Sequence, residues 1–246
     1  MRSIIYNKEK AYIDQGVYFG KGVFETILWL DKPIFLEQHI NRLSKSLIKM
    51  KMNELEKEEL ISYLLDLPIK NKAVKITVTD LNIIISERDI PYKEKDYKDG
   101  FDLTISKVIR NSTSILTYIK STCYYENILE KSKALNKGFN DVLFLNEKGS
   151  ITETSCANIF MVKDNKIYTP RIEDGLLSGI IREWIISNFD VIEKKISIDD
   201  LINCSEVFIT NSLMGIMPVN KIDKYIFNER KKSDYIKNSY IKAMTD

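Results

Sequence analysis

Three residue types are scarce or balanced in this chain, and each shortage removes a class of function. Cysteine occurs three times in 246 residues, as Cys123, Cys156 and Cys204. The number is odd, the spacing wide, and no pair has the separation of metal ligands, which points to a reduced, intracellular setting. His39 is the only histidine, so a hydrolytic triad or a histidine-based metal site lacks its parts and no metal is expected. His39 itself reads as packing at the start of a helix. Basic and acidic side chains number 37 and 35, leaving a net charge of +2 without the clustered basic excess of a nucleic-acid binder. Short mixed runs such as Lys93 to Asp96 read as solvated faces. No uninterrupted apolar run is long enough to span a bilayer, and the first residues lack a sustained apolar core. The expectation is a cytoplasmic chain with no nucleic-acid or membrane partner.

What is present is an ordinary globular composition, 44% apolar and 29% charged, enough to bury one large domain or two small ones. Ser3 to Tyr6 and Ala11 to Ile13 read as short strands about a turn at Asn7-Lys8. Gly16, Gly20 and Gly22 follow in a loop that asks for close backbone approach or positive φ, either a plain loop or a phosphate cradle. Val23 to Trp29 reads as a strand. Leu36, Ile40, Leu43 and Leu47 fall at helical spacing, with Arg42 beside that apolar face, where a guanidinium suits a phosphate dianion or stands on the surface. A second helix is predicted over Glu54 to Leu65, a strand pair over Val74 to Thr79 and Asn82 to Ser86, a long loop over Glu87 to Gly100, and a strand over Phe101 to Ser106. The polar stretch 108–118 reads as a linker, which divides the chain into a small α/β domain over 1–107 and a larger domain over 119–246. The second part is predicted to hold a helix from Glu126 to Lys137 with Ile128, Leu129, Ala134 and Leu135 as its apolar contribution. An antiparallel meander from Val142 to Val162, a helix opened by Ser178 and Gly179, a strand over Glu206 to Thr210 and a terminal helix over Ser233 to Met244 follow.

Lys120 stands in a run without a neighbouring cation, and Glu153 in a segment of small and apolar residues. Most lysines are solvated and structural. A lysine paired with a carboxylate, however, suggests a Schiff-base cofactor site, in which the amine holds an aldehyde and the carboxylate sets the protonation of a pyridine nitrogen; a structural salt bridge is the other reading of Glu153. Ser178 and Gly179 precede a helix whose free N–H groups favour a phosphate, and Ser178 is also a fitting helix cap.

Three segments, Ile119-Lys120-Ser121, Thr152 to Phe160 and Leu177 to Arg182, resemble in order the signature blocks of the class IV aminotransferases. These are pyridoxal phosphate enzymes that include branched-chain and D-amino acid aminotransferases and aminodeoxychorismate lyases. The resemblance covers almost the whole chain. It implies a two-domain α+β fold of the D-amino acid aminotransferase kind, pyridoxal 5'-phosphate as cofactor, a small-molecule amino substrate and a homodimer. It implies Lys120 as the catalytic residue and cofactor anchor, Glu153 at the pyridine nitrogen, and Arg42, Gly179, Ile180, Ile181, Ser212 and Leu213 around the phosphate. Tyr125 reads as a hydrogen-bond donor to the cofactor or a packed ring, and the resemblance implies that Phe24 and Thr26 belong to the substrate side of the pocket. Where many aminotransferases of the family carry arginine then glycine, this chain has Asp80-Leu81. The form Asn211-Ser212-Leu213-Met214-Gly215 is closer to that of the family's lyases. The resemblance therefore implies conversion of 4-amino-4-deoxychorismate to 4-aminobenzoate and pyruvate in folate biosynthesis, with transamination of a D- or branched-chain amino acid as the alternative and a non-catalytic binder of a phosphorylated ligand as a third reading.

Overall fold

The computed structural model describes residues 2–8 and 10–245. It divides into two compact units, one running to Pro91 and taking up Ile119–Tyr125, the other formed by Tyr92–Tyr118 and the chain from Glu126 onward.

The first unit contains β1 (Ser3–Tyr6), α1 (Gln15–Phe19), β2 (Val23–Trp29), α2 (Leu36–Lys49), α3 (Lys57–Leu65), β3 (Lys72–Val78) and β4 (Asn82–Arg88). Its sheet has the order β1-β4-β3-β2, antiparallel except for the β1–β4 pair. Strand alternation sends Val23, Ile27 and Trp29 of β2, Val74, Ile76 and Val78 of β3, and Ile83 and Ile85 of β4 to one face. There they meet Ile40, Leu43 and Leu47 of α2 and Leu60 and Leu64 of α3 in a single core. Each such side chain contributes about 1.5–3 kcal/mol when fully buried.

Ala11 to Ile13, expected as a strand, is not one. Asn82 takes the place of a ladder there: its side chain accepts from the Tyr12 N–H at 2.8 Å and donates to the Tyr12 carbonyl at 2.9 Å. The following loop winds into a single helical turn. Asp14 caps the one-turn α1 through the Gly16 N–H, and Gly20 closes it at φ 67° with the space of its missing Cβ filled by Cys123 Sγ at 2.8 Å.

The second unit contains α4 (Glu94–Asp99), β5 (Phe101–Arg110), α5 (opening at Tyr125 and ending at Leu135), β6 (Asp141–Asn146), β7 (Ile151–Thr154), β8 (Asn158–Lys163), β9 (Lys166–Thr169), α6 (Ile180–Asn188), β10 (Val191–Glu193), α7 (Ile198–Ile202), β11 (Glu206–Asn211), β12 (Gly215–Ile222), β13 (Tyr225–Ile226) and α8 (Lys231–Thr245). Strands run β10-β9-β8-β11-β12-β5-β6-β7, and β7 pairs back onto β8. Strands β8, β11, β12, β5, β6 and β7 thus close into a ring. Its core gathers Leu103, Leu143, Ile159, Ile209 and Met217 among others.

This closure moves the expected boundary. Strand β5 is hydrogen-bonded between β12 and β6, so the chain enters the second unit at Tyr92 rather than after Lys107, and the first three residues of the expected linker, 108–110, are strand. The loop before it also contains α4. Of the face expected of α5 only Ala134 is buried; Ile128, Leu129 and Leu135 are exposed, and Asn127 and Glu130 are buried beside Ala134 instead.

Candidate active site

In the first unit, Lys120 is carried by a segment laid on the free edge of β2. The Lys120 carbonyl accepts from the Phe24 N–H at 2.8 Å, the Thr122 N–H donates to the Gly22 carbonyl at 2.9 Å, and Ser121 bridges to Val23. This pairing holds a half-buried lysine over aromatic rings. Its Nζ lies 4.6 Å from the Phe24 ring centroid and 5.5 Å from that of Tyr124, and the two rings meet edge to face at 5.2 Å. Phe24 is therefore beside Lys120, with Thr26 two residues on along the same face of β2. The neighbouring phenol is Tyr124, not Tyr125, whose side chain is 73% exposed at the start of α5.

Behind this lies a charged cluster that the residue-by-residue reading of the sequence missed. Glu25 sits on the core-facing side of β2, fully buried. It accepts from Arg42 Nε and Nη2, each at 2.7 Å, and its other hydrogen bond, also 2.7 Å, joins it to His39 Nδ1. Burial would raise the Glu25 carboxyl; Arg42 and then His39 overcome it and hold the group down at about 2. Desolvation pushes the His39 pKa down, with Glu25 opposing and Arg42 and Lys120 assisting. His39 is thus a neutral ring whose Nδ1 donates to the carboxylate. A charged residue at the inward parity of an otherwise apolar strand was the signal available for Glu25. Arg42 is oriented by Glu25 rather than standing on the surface.

In the second unit, Glu153 on β7 is opposite Asn158 on β8, and the two grip one residue. Glu153 Oε2 accepts from the Leu177 N–H at 3.1 Å, and Asn158 Nδ2 donates to the Leu177 carbonyl at 2.8 Å. Leu177 lies just before Gly179, the N-cap of α6, where no side chain makes a capping hydrogen bond. A Cβ on Gly179 would lie 2.1 Å from Asn158 Oδ1, so only glycine permits this approach. The Ser178 hydroxyl, expected as a cap, donates instead to Glu183 at 2.6 Å. Ile180 and Ile181 have buried side chains and offer a ligand their backbone N–H groups.

Glu153 also has an ion-pair partner in Arg110, at 3.4 Å, so the salt-bridge reading holds together with any functional one. The Arg110 guanidinium lies over the Phe144 ring at 4.1 Å and donates to Asn127 at 3.2 Å. In the β11–β12 turn, Asn211 Oδ1 accepts from the Leu213 and Met214 N–H groups at 3.0 and 2.9 Å. The Leu213 amide, expected at the phosphate, thus donates to Asn211. Asp80, in the β3–β4 turn of the first unit, pairs with Lys21 at 3.1 Å. Among the described residues no group of three or more histidine, cysteine, aspartate or glutamate side chains could hold a metal, and no helix is long and apolar enough to cross a membrane.

An amine seated on rings in one unit, with an uncapped helix N-terminus beside a buried carboxylate in the other, is the equipment of a pyridoxal phosphate enzyme. The chain belongs to the class IV aminotransferase family, whose model, Amino-transferase class IV, matches residues 22–222. It is 29% identical to a putative branched-chain-amino-acid aminotransferase of Methanocaldococcus jannaschii, over 92% of this chain and 87% of that one. It is 27% identical to an aminodeoxychorismate lyase of Bacillus subtilis, over 89% and 85%. A solved structure described as a putative 4-amino-4-deoxychorismate lyase of Legionella pneumophila superposes with a TM-score of 0.85 at 27% identity, covering 96% of this chain and 98% of that one. The protein is an enzyme of this family, with its α+β fold, and the family depends on pyridoxal 5'-phosphate.

Proposed function

We propose that this enzyme is a lyase that converts 4-amino-4-deoxychorismate to 4-aminobenzoate and pyruvate. The observation that carries the choice is the β3–β4 turn: Asp80 is paired with Lys21 at the position where many aminotransferases of the family place an arginine. Transamination needs a second, acidic acceptor, and an acidic side chain there does not favour one. The form of the Asn211–Gly215 turn and the likeness to the Bacillus lyase support the same reading.

The residues present fit the cofactor. In the second unit, the uncapped N-terminus of α6, with Gly179 packed too closely for any Cβ, and the Ser212 hydroxyl suit its phosphate; in the first unit, the Arg42 guanidinium that Glu25 orients is of the chemistry a phosphate takes. Lys120 Nζ is the anchoring amine and Glu153 the carboxylate for its pyridine nitrogen. When bound, pyridoxal phosphate supplies an electron sink for bond breaking next to the substrate nitrogen. Lys120 Nζ would do the proton work: it would take the proton from the ring carbon bearing nitrogen as the bond to the enolpyruvyl oxygen breaks, which leaves an aromatic ring, and the proton would pass to the departing enolpyruvate, which becomes pyruvate. Phe24 and Tyr124 limit water around that amine.

We further infer a homodimer, supported by the exposed apolar side chains of Tyr12, Ile13, Val17, Tyr18 and Phe19, and a cytoplasmic location, supported by three free cysteines. Purified enzyme given aminodeoxychorismate should release fluorescent 4-aminobenzoate. Turnover of a branched-chain or D-amino acid with a keto acid, and none of aminodeoxychorismate, would replace this reading with transamination, which the likeness to the Methanocaldococcus relative supports.

A further inference from the structure

The second unit buries a cation that the chemistry above leaves unused. Arg110 closes β5 opposite Asn146 of β6 and is 9% exposed. Three contacts fix it. Its guanidinium lies over the Phe144 ring at 4.1 Å, Nη1 donates to Asn127 Oδ1 at 3.2 Å, and Nη2 stands 3.4 Å from Glu153 Oε1. Asn127 is held in turn through its Nδ2, which donates to the Ser155 carbonyl at 2.7 Å. The polar side chains that α5 buries in place of Ile128 and Leu129 thus include the one that positions this arginine.

The pair does not have the form of an ion pair kept for stability. A guanidinium beside a carboxylate ordinarily forks onto it with two short hydrogen bonds. Here Nε and Nη2 are buried, and neither has a hydrogen-bond partner. Phe144 and Asn127 hold the cation against Glu153 without the cation taking the carboxylate as a hydrogen-bond acceptor. Buried donors left unpaired destabilise a fold, and a salt bridge serving the fold alone would close that gap. What the arrangement retains is the charge: a cation this near favours the charged form of a carboxylate.

We propose that Arg110 is a positioning residue that acts through Glu153 and keeps the proton between Glu153 and the cofactor's pyridine nitrogen on the nitrogen. This rests on the assignment of Glu153 to that nitrogen. The charge of Arg110 biases the proton away from the carboxylate, and Asn127 directs its hydrogen bonding elsewhere, so the carboxylate accepts from the ring rather than from the guanidinium. No proton enters or leaves; one proton is held on nitrogen instead of oxygen. A protonated ring draws electrons more strongly than a neutral one, so Arg110 sets the strength of the electron sink at one remove.

The test is nuclear magnetic resonance of the holoenzyme loaded with pyridoxal 5'-phosphate isotopically labelled at the ring nitrogen, whose signal reads protonation at that atom. The unsubstituted enzyme and Arg110→Lys, which keeps the charge, should both show a protonated ring. Arg110→Met should move the signal toward the unprotonated position, because an opposite charge within about 4–6 Å biases the proton equilibrium of a carboxyl by about 10- to 1000-fold. The same variant should lower kcat by about 10-fold with a smaller change in KM. Asn127→Leu keeps Arg110 but frees it to fork onto Glu153, and should weaken cofactor binding by about 10-fold in equilibrium dialysis. An unmoved ring signal in Arg110→Met, or, where that variant does not fold, an unchanged cofactor affinity in Asn127→Leu, would overturn the proposal. Glu153→Gln separates the two readings. A signal that moves in Glu153→Gln but not in Arg110→Met sinks the role of Arg110 alone, whereas a signal indifferent to Glu153→Gln sinks the assignment of Glu153 with it.

Discussion

Replacing Glu25 by glutamine removes one charge from the centre of the first unit and keeps the shape. The carboxylate is 0% exposed and serves both Arg42 and His39. Its loss strands a guanidinium whose side chain is only 14% exposed. Breaking a buried ion pair by removing one partner costs about 3–5 kcal/mol, and the residual solvent access of Arg42 places Glu25→Gln near ~3 kcal/mol on that scale. With a urea m-value of about 1–3 kcal/mol/M, the midpoint should fall by roughly 1–3 M. The assay is urea unfolding read from Trp29, which lies in this core; the chain has two tryptophans, so Trp184→Phe isolates it. Acid should act in the same direction. The Glu25 pKa lies below its ordinary 4.5 in the fold, at about 2; its contribution is complete above pH 4.5 and fades as pH falls toward 2. His39, lowered from 6.5, contributes above that value and loses its contribution as pH falls through its lower folded pKa. Glu25→Gln should therefore flatten the acid limb of the stability curve. A cost under about 1 kcal/mol, or an unchanged acid limb, would refute the argument that this cluster is held by its carboxylate.

Three further outcomes follow from the site. Lys120→Ala should abolish the label fixed by borohydride on native enzyme and lower turnover by about 10²–10⁴-fold, as judged by peptide mass mapping and product fluorescence. Gly179→Ala, whose Cβ would meet Asn158 Oδ1 at 2.1 Å, should weaken cofactor retention by about 10-fold in equilibrium dialysis, with part recovered when Asn158→Ala is added. Glu153→Gln preserves an acceptor for the Leu177 N–H but discards the charge facing Arg110, and should lower stability by about 1–3 kcal/mol while reducing kcat more than KM.

Local pattern was enough for much of this protein. Val23 to Trp29 is a strand because β-branched and aromatic residues alternate around it, and Leu36 to Lys49 a helix because its apolar residues recur on one face. Lys120, Glu153 and Gly179 could be singled out as candidates because each stands in a segment whose neighbours are also distinctive. Strand partners decided what these patterns could not. Residues 108–110 look like linker in isolation and are strand because β6 lies beside them; the division of the chain followed from that pairing. Side-chain hydrogen bonds decided the rest: Asn82 replaced a ladder at Tyr12, Asn211 claimed the Leu213 amide, and Glu183 drew Ser178 away from the cap. Glu25 lies 17 positions from Arg42, and Arg110 stands in a different strand from Glu153. Sequence determined which elements form, because periodicity is local. Only tertiary structure decided which charges meet, because a buried ion pair is a property of distances the chain closes only when it folds.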